Sequence, residues 1–451
     1  MLDKKQIREL WLKDANDHRD LLEGRAARDI ERYRKGYGKI RLVDNNGTPI
    51  AGKKVKIDQI THDFKYGANI FMLDEFENEN DNIAYRELFK KHFNLATVPF
   101  YWDGLEPEEG KPRYDKNSPK VYRRPAPELC VEYCEENGID AKLHCLIYES
   151  FSPDWLPRND MKKMEELYEK RFHEISERFS GRLMEFEVLN ELEWSGGWKN
   201  KSVIMSKPDF VEWAFALARK HFPQETLVFN DGMPANDAAR NTYRSYYYLL
   251  LERSFLKGAS IDKIGMQHHC FTGSRTKTAE EYENEVRKGS NMFNPETLFK
   301  GLDVYSEFGL PLEITEMTIP TFGDTPEDEE LQADLLEVLY TVFFAHPSLD
   351  TVVYWNLPDG YAYVRDNPAD YWNENKCRGG LFRHDLTPKK SAERLYELFN
   401  KKWHTELEAQ TDENGYIELR GFYGEYTAEI DGQIAKFGIH KNENNVYTVE
   451  L

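Results

Sequence analysis

Two glutamates stand at the ends of apolar stretches, where an unpaired carboxylate would be costly to bury. Glu191 closes FEVLNE and Glu316 closes PLEITE, 125 residues further along the chain. A carboxylate in such a run is either solvated at a strand end or held there for chemistry, because burial without a partner is unfavourable. Two carboxyl groups about 5 to 5.5 Å apart can act as nucleophile and general acid/base, which is the arrangement that hydrolyses a glycosidic bond with retention of configuration. Whether the two residues lie close together depends on the strands and helices that position them.

Short apolar stretches alternate with longer amphipathic ones from about residue 63 to residue 404. The short stretches have the length of buried strands, whereas the long ones, such as DLLEVLYTVFFAH, have helical periodicity. Eight such units predict a (β/α)8 TIM barrel of the α/β class. A doubly wound open sheet is the alternative, but the chain has neither a glycine-rich dinucleotide fingerprint nor a GxxxxGKS/T motif. The predicted strands are residues 64–70, 93–100, 140–148, 183–191, 225–231, 262–269, 311–317 and 351–356.

The ends of these predicted strands are rich in polar and aromatic residues. Active sites of such barrels lie at the C-terminal ends of the strands, so these residues form the candidate site. Glu191 ends the fourth strand and Glu316 the seventh, and these strand ends face each other across the mouth of a closed barrel. The strand-end residues are Tyr148, Asn190, Glu191, Asn230, Asp231, Gln267, His268, His269, Glu316, Trp355 and Asn356.

Both ends of the chain differ from the central region. Residues 1–36 are charged with helical spacing, which predicts an N-terminal helical segment. Residues 38–59 alternate around Asn46-Gly47 and Thr48-Pro49, which predicts a β-hairpin. Residues 415–451 contain further short strands, and because two strands alone are marginally stable, we expect one small β-sandwich built from both ends of the chain. The predicted division is residues 1–36, residues 37–62 with 405–451, and a barrel at 63–404.

Composition limits the classes of partner. The formal charge of −20 and the lack of a basic stripe argue against a nucleic-acid partner. Five cysteines without a CxxC pattern predict neither a disulfide framework nor a structural zinc site, and we expect no cofactor. No stretch approaches transmembrane length, so we expect no membrane partner; the chain as given reads as cytoplasmic, or as periplasmic or secreted if a signal peptide has been removed. The aromatic residues in loop-like stretches would suit the faces of sugar rings.

Several motifs together resemble one known family. FEVLNE and PLEITE are similar to the acid/base and nucleophile motifs of glycoside hydrolase family 10, the endo-β-1,4-xylanase family, a (β/α)8 barrel of retaining hydrolases. The resemblance runs from about Gly67 to Trp403. It also includes WDGLEPEEG, His144 followed by DWLP, FND at 229–231, GMQHH at 265–269, Trp355 with Asp359, and the closing segment GGLFRHDLTPKKSAERLYEL.

The resemblance implies a role for each matching residue. Glu191 would be the general acid/base and Glu316 the nucleophile, while Asn190 would bond the sugar 2-hydroxyl. His269 would hold Glu316, with Gln267 beside it. His144 would bind the sugar before the scissile bond, and Trp355 would stack beneath that sugar. Asn230 matches the family's fifth strand.

The chain departs from the family mainly where the sugar would be recognised. The family's Glu-Asn-x-x-Lys aligns with Thr97, Val98 and Tyr101, and its Trp-His with Tyr148 and Glu149. Phe151 replaces a glutamine, Tyr363 a tryptophan, and Thr318 the aspartate that would orient His269. We therefore expect a retaining hydrolase of a β-linked oligo- or polysaccharide, xylanase-like and active on a plant-type β-glycan, whose preferred substrate differs from plain xylan.

Other functions remain open from the sequence. A non-catalytic carbohydrate-binding barrel and a β-glycosidase acting on a small non-xylan glycoside are the alternatives. A metal-dependent hydrolase built on His144, His268, His269 and His384 is disfavoured, because adjacent strand residues point to opposite faces and only one of 268 and 269 can face the mouth. The sequence leaves the sugar, its linkage, endo or exo action and the oligomeric state open.

Overall fold

The computed structural model describes residues 2–197, 201–367 and 370–451. Strands form three multi-stranded assemblies and one separate two-stranded pair. The strands are β1 Lys35–Val43, β2 Lys54–Gln59, β3 Lys65–Asn69, β4 Leu95–Pro99, β5 Asp140–His144, β6 Glu185–Asn190, β7 Thr226–Asp231, β8 Lys263–His269, β9 Leu312–Thr318, β10 Leu349–Tyr354, β11 Val364–Asn367, β12 Asp370–Asn373, β13 Glu406–Gln410, β14 Tyr416–Phe422, β15 Gly424–Ile430, β16 Gln433–Ile439 and β17 Val446–Glu450.

Helices occupy the N-terminal segment and the stretches between the central strands. Within the described ranges, no helix combines the length and the apolarity that crossing a bilayer requires. The α-helices are α1 Lys4–Trp11, α2 Lys13–Asp17, α3 Ala27–Tyr33, α4 Glu79–His92, α5 Trp102–Leu105, α6 Pro127–Asn137, α7 Met161–Phe179, α8 Phe210–His221, α9 Pro234–Asn241, α10 Tyr246–Leu256, α11 Ala279–Lys288, α12 Pro295–Ser306, α13 Pro326–Ala345 and α14 Lys390–Glu397.

The central assembly is a closed barrel of eight parallel strands in the order β10-β3-β4-β5-β6-β7-β8-β9. Each of the eight predicted strands is present, so the predicted (β/α)8 fold is confirmed and the open sheet is wrong. Strands such as β4 and β9 are buried along their whole length. Burial on both faces explains the apolar residues of these strands, and the buried polar residues of β9 need partners inside the barrel.

The N-terminal helices pack against the outside of the barrel. Trp11 is fully buried between the rings of Phe293 and Phe322, and its indole nitrogen donates to the carbonyl of Val286 at 2.9 Å. Burial of one large aromatic side chain contributes about 1.5 to 3 kcal/mol. This contact ties the start of the chain to the segments that follow β8 and β9.

The remaining strands form a β-sandwich from both ends of the chain. One sheet has the order β14-β1-β17 and the other β13-β2-β15-β16. The expected β-sandwich of N- and C-terminal strands is therefore confirmed.

The predicted hairpin within this sandwich is limited to its turn, where Val43 and Pro49 form a single antiparallel bridge. All residues of β1 and β2 are described, and the two strands lie in opposite sheets instead of pairing with each other. This arrangement places Ile40 and Leu42 of one sheet in the same apolar core as Val55 and Ile57 of the other. The turn at Asp44, whose carboxylate accepts from the backbone of Asn46 and Thr48, redirects the chain between the sheets.

Candidate active site

Glu191 lies immediately after β6, where the chain leaves the barrel wall. Its backbone has φ of 56°, in the left-handed region that residues other than glycine rarely adopt. The amide of Glu191 donates to the carbonyl of Asn230 on the neighbouring strand at 3.2 Å. Backbone of this kind costs energy and persists where the surrounding structure holds it, commonly at functional sites. The turn separates Glu191 from the buried strand residues below it.

Glu316 lies inside β9 and is 4% exposed. Its Oε1 accepts hydrogen bonds from Asn230 at 3.1 Å and from Gln267 at 3.0 Å. Its Oε2 lies 3.2 Å from Nε2 of His269. These contacts fix the direction of the carboxyl group towards the mouth of the barrel.

The side-chain amide of Gln267 joins the two glutamates. Its nitrogen donates to Oε1 of Glu191 at 2.9 Å and to Oε1 of Glu316 at 3.0 Å. Because one nitrogen atom reaches both oxygens, these two oxygens lie at most about 6 Å apart, so the two carboxyl groups are close neighbours, as retaining hydrolysis requires. The structure therefore brings together the two carboxylates that the sequence places 125 residues apart.

The immediate surroundings of Glu316 favour retention of a proton. Burial, together with the negative charges of Glu191 and Glu187, raises the pKa of Glu316 to about 8, although His144 acts in the opposite direction. Two neighbouring carboxyls that share a site cannot readily both ionise. The pair formed by Glu191 and Glu316 therefore holds one proton at neutral pH.

His269 is held by Thr318 on the side away from Glu316. Its Nδ1 lies 2.8 Å from the Thr318 hydroxyl. Burial lowers the pKa of His269 to about 4, so the imidazole is neutral near pH 7. When Glu316 is ionised it can only accept, so Nε2 of His269 carries the proton and the Thr318 hydroxyl donates to Nδ1. The neighbouring His268 points to the opposite side of β8 and lies 3.0 Å from the Met292 carbonyl, as the alternation of the strand predicts.

His144 has a different environment from the one that the family resemblance implies. It is 1% exposed, with Nδ1 bonded to the carboxylate of Glu187 and Nε2 lying 2.9 Å from the hydroxyl of Tyr101. Both ring nitrogens therefore contact protein groups, so His144 supports Tyr101, and the expected contact of His144 with a sugar stays a prediction. Burial alone would lower the pKa of His144, but the charge and hydrogen bond of Glu187 outweigh it and raise this pKa.

Glu187 connects the site to a charged layer inside the barrel. Lys142 lies 2.8 Å from one oxygen of Glu187, and the other oxygen bonds His144. Burial alone would raise the pKa of Glu187, but the positive charges of Lys142 and His144 lower it. This layer was not predicted from the sequence. A signal for it exists, because positions separated by two residues carry Lys142 and His144 on β5 and Glu185 and Glu187 on β6.

Deeper in the same layer, Glu185 and Glu313 share Lys142 and Lys263. Lys263 lies 2.5 Å from Glu185 and 3.6 Å from Glu313. Burial and the charge of Glu185 raise the pKa of Glu313 to about 8, whereas the two lysines outweigh burial and lower the pKa of Glu185 to about 2. Lys263 also pairs with Asp350 at 2.6 Å, so the layer extends to the start of β10.

Asn190 and Asn230 form an amide pair beneath the two glutamates. The nitrogen of Asn230 donates to the side-chain oxygen of Asn190 at 2.7 Å, and the oxygen of Asn230 accepts from Thr315 at 2.5 Å. These bonds fix the orientation of both amides. Asn230, whose role the sequence left unassigned, therefore contacts both Asn190 and Glu316.

An aromatic wall lines one side of the site. Its members, with ring centroids 4.9 to 6.1 Å from a neighbour, are Phe71, Tyr101, Tyr148, Phe151, Trp355 and Tyr363. Tyr363 joins this wall through Phe151, and the hydroxyl of Tyr148 donates to Oε2 of Glu191. By contrast, Thr97 and Val98 are fully buried within β4. Of the three residues that replace the family's polar group, only Tyr101 lies in the aromatic wall.

Three further charged residues, which were not predicted from the sequence, support this wall. The guanidinium of Arg124 stacks 3.9 Å from the ring centre of Tyr101. Arg123 donates to Asn356 at 2.9 Å, and Asn356 in turn donates to Glu374 at 2.7 Å. These residues come from loops far apart in the chain, and no local pattern in the sequence marks them. In the part of the chain that the structure describes, no three His, Cys, Asp or Glu side chains converge as metal ligands would.

Comparison with known proteins identifies a family. Residues 58–397 match the family model described as Glycosyl hydrolase family 10. The chain is 24% identical over 347 residues to endo-1,4-beta-xylanase B of Thermotoga neapolitana, covering 75% of this chain and 88% of that protein. It is also 24% identical over 427 residues to the anti-sigma-I factor RsgI6 of Acetivibrio thermocellus, covering 93% of this chain and 46% of that protein. The chain thus spans less than half of RsgI6, and it spans 34% of endo-1,4-beta-xylanase 2 of Arabidopsis thaliana.

Solved structures share the barrel. Xylanase 10B of Thermotoga petrophila RKU-1, in complex with xylobiose, superposes with a TM-score of 0.58 at 21% identity, covering 75% of this chain and 95% of that chain. Native xylanase 10B of Thermotoga maritima superposes with a TM-score of 0.57 at 21% identity, covering 75% of this chain and 96% of that chain. At this identity the superposition supports the fold.

Proposed function

Because the chain belongs to glycosyl hydrolase family 10, we propose that it hydrolyses β-glycosidic bonds with retention of configuration. The single observation that carries this mechanism is the amide of Gln267, which bonds both Glu191 and Glu316 and so limits their separation. The proposed substrate is a plant-type β-glycan or a β-linked oligosaccharide.

The first step requires the proton that the pair shares to lie on Glu191. Ionised Glu316 then attacks the anomeric carbon while the bond from that carbon to the leaving oxygen breaks. Glu191 gives its proton to the leaving oxygen, so the leaving sugar departs as an alcohol and an ester joins the glycosyl group to Glu316. In the second step, Glu191 takes a proton from water as the water oxygen attacks the same carbon. The ester bond breaks, Glu316 regains its charge, and Glu191 is protonated again.

The side-chain amides next to the glutamates stabilise the charges that form on Glu316 and on the sugar ring during these steps. Gln267 and Asn230 donate to Glu316, which favours its ionised form as it attacks. The oxygen of Asn190 accepts from Asn230, so the nitrogen of Asn190 is the group that can donate to a sugar 2-hydroxyl. Such a contact strengthens as positive charge develops on the sugar ring in the transition state.

The preferred substrate follows from the aromatic wall. Relatives named endo-1,4-beta-xylanases point to β-1,4-linked xylose chains as the reference substrate. In this chain, Tyr101 and Phe151 form an apolar surface with Arg124 stacked above it. A site that hydrogen-bonds a substrate hydroxyl rejects analogues lacking that hydroxyl by orders of magnitude in kcat/KM. Replacing such polar groups by aromatic rings therefore changes which substrate is preferred. We infer that a substituted or differently linked β-glycan, or a small aglycone-bearing β-glycoside, is cleaved faster than plain xylan.

Product analysis on a panel of aryl β-glycosides, oligosaccharides and xylan tests this proposal. The anomeric configuration of the first product, followed by NMR, should match that of the substrate. Glu191→Gln and Glu316→Gln should each lower kcat by at least about 1,000-fold. An inverted first product would overturn the retaining mechanism, and fastest turnover of unsubstituted xylan would overturn the inferred preference.

A binding role without turnover is the second candidate, since RsgI6, which matches 93% of this chain, is named an anti-sigma factor. In that case the unmodified protein would bind glycans and Glu316→Gln would leave binding unchanged, with no turnover in either. Measurable turnover that is lost in Glu316→Gln supports the enzyme instead.

A further inference from the structure

We propose that a second pocket, on the same face of the barrel as the catalytic glutamates, binds the carboxylate of a uronic acid substituent on the glycan. This inference rests on the proposed function. The pocket, called here the rim pocket, has a volume of about 620 Å³. Its lining comes from the segment between residues 273 and 282, from Thr321 and Phe322 after β9, and from the segment between residues 373 and 378.

The charge of the rim pocket is opposite to that of the protein. Lys277, Lys376 and Arg378 line it, and none of the described lining residues is an aspartate or a glutamate. The chain as a whole carries a formal charge of −20, so a purely cationic lining is not what its composition would produce by chance. Clustered cations in a concave site attract anionic ligands.

Two of these cations, Lys376 and Arg378, are only partly neutralised by their neighbours. The ammonium of Lys376 donates to the Thr276 carbonyl at 2.6 Å, which uses one of its three N–H donors and brings no negative charge. Arg378 pairs with Asp324, but the two side chains are 42% and 79% exposed, and exposed pairs of this kind are weak. A ligand carboxylate can therefore gain charge-assisted hydrogen bonds here.

The rest of the lining is suited to a sugar ring. Thr276, Asn373 and Asn375 supply hydroxyl and amide groups, and Tyr282 supplies an aromatic ring. Gly273, with φ of 91°, lies against that ring, and a Cβ atom at this position would meet it at 3.0 Å. A ligand with both hydroxyl groups and a carboxylate matches these features, whereas a purely apolar ligand does not.

A continuous series of contacts joins the rim pocket to the catalytic centre. His269, which bonds Glu316, stacks on Phe271 with ring centres 4.4 Å apart. Phe271 packs against Trp372 at 5.2 Å, and the next residue, Asn373, lines the pocket. A glycan whose backbone lies between the two glutamates can thus extend a side group over Trp372 into the rim pocket.

Paired substrates test the proposal. The substrates are a neutral β-linked oligosaccharide and the same oligosaccharide bearing one uronic acid. We expect the combined variant Lys277→Gln, Lys376→Gln and Arg378→Gln to lose about tenfold in kcat/KM on the acidic substrate and less than twofold on the neutral one. Lys288→Gln, an exposed charge change on α11 outside the pocket, is the control. Equal losses on both substrates, or an equal loss on the acidic substrate in the control, would overturn the proposal.

A binding measurement separates this proposal from the proposed function. Glu316→Gln is titrated with methyl β-glucuronide, methyl β-glucoside and sodium acetate, observed by NMR. Preferential binding of the glucuronide, lost in the combined variant, supports the rim pocket even if no glycan is cleaved. Binding of acetate as tight as that of the glucuronide would show a general anion site and overturn the assignment to a sugar acid. Failure of every substrate to turn over would count against the proposed function alone.

Discussion

The hydroxyl of Tyr148 donates a hydrogen bond to Oε2 of Glu191, while the other oxygen of that carboxyl accepts from Gln267. Both oxygens of Glu191 are therefore held by neutral donors on two different strand ends. A general acid must be oriented towards the leaving oxygen within hydrogen-bond reach. Tyr148 stands where the family resemblance places a tryptophan, so this contact gives a residue of the aromatic wall a positioning role.

Removing this hydroxyl should impair protonation of the leaving group. For Tyr148→Phe we expect kcat/KM on a phenyl β-glycoside to fall about tenfold, as for the loss of one hydrogen bond to a charged group. On a dinitrophenyl β-glycoside, whose leaving group needs no proton, the change should be less than twofold. Steady-state kinetics on the two substrates measures this difference. Tyr243→Phe, at a 64% exposed tyrosine, is the matched control, and equal losses on both substrates would refute the positioning role.

The shared proton predicts a pH dependence. Burial and the neighbouring carboxylates raise the pKa of Glu316 to about 8, so the pair with Glu191 holds one proton below that pH. As the pH rises through about 8 the proton leaves, both carboxyls are charged, and no acid remains. We expect kcat/KM on a phenyl β-glycoside to fall above pH 8, with a weaker fall for the dinitrophenyl substrate. A profile on the phenyl substrate that stays flat to pH 9.5 would contradict the shared proton.

Thr318 should set the charge of His269. In Thr318→Asp a carboxylate replaces the hydroxyl 2.8 Å from Nδ1, which should raise the pKa of His269 from its present value of about 4. A charged His269 favours ionised Glu316, so the alkaline limb of kcat/KM should move to lower pH by up to about one unit. Thr318→Val, which removes the hydroxyl without adding charge, is the control. A shift of the same size and direction in Thr318→Val would show that charge is not the cause.

Breaking the buried charge layer should destabilise the barrel. Glu187→Gln removes the partner of Lys142 and His144, and loss of one member of a buried ionic group typically costs about 3 to 5 kcal/mol. Because Glu187 raises the pKa of His144, their interaction stabilises the fold at low pH and is lost as the pH rises through the raised pKa. The cost should therefore be larger at pH 5 than at pH 9.

Urea unfolding monitored by circular dichroism at the two pH values measures this cost. Glu429→Gln, an exposed change in the β-sandwich, should alter the free energy of unfolding by less than about 0.5 kcal/mol. A cost for Glu187→Gln below about 1 kcal/mol at pH 5 would show that the layer tolerates the loss of this charge.

Local patterns in the sequence determined the barrel and the two principal residues. Each strand is a short apolar run ended by polar residues, and a parallel barrel collects all such ends at one mouth. Glu191 and Glu316 could be found because their position depends only on where their own strands stop. The sandwich followed similarly from the composition of the two chain ends, although the pairing of β1 and β2 did not, since a turn signal does not determine which sheet each strand joins.

Only the tertiary structure decided what each of these residues contacts. Glu187 bonds Lys142 and His144 because closure of the barrel aligns inward positions of neighbouring strands, and the same alignment places His144 against the hydroxyl of Tyr101. The bridge made by Gln267 depends on the relative heights of β6, β8 and β9, which include register shifts that no periodicity encodes. The rim pocket likewise gathers residues from segments about 100 positions apart. Strand positions follow from local periodicity, whereas contacts across the barrel depend on closure, register and side-chain direction.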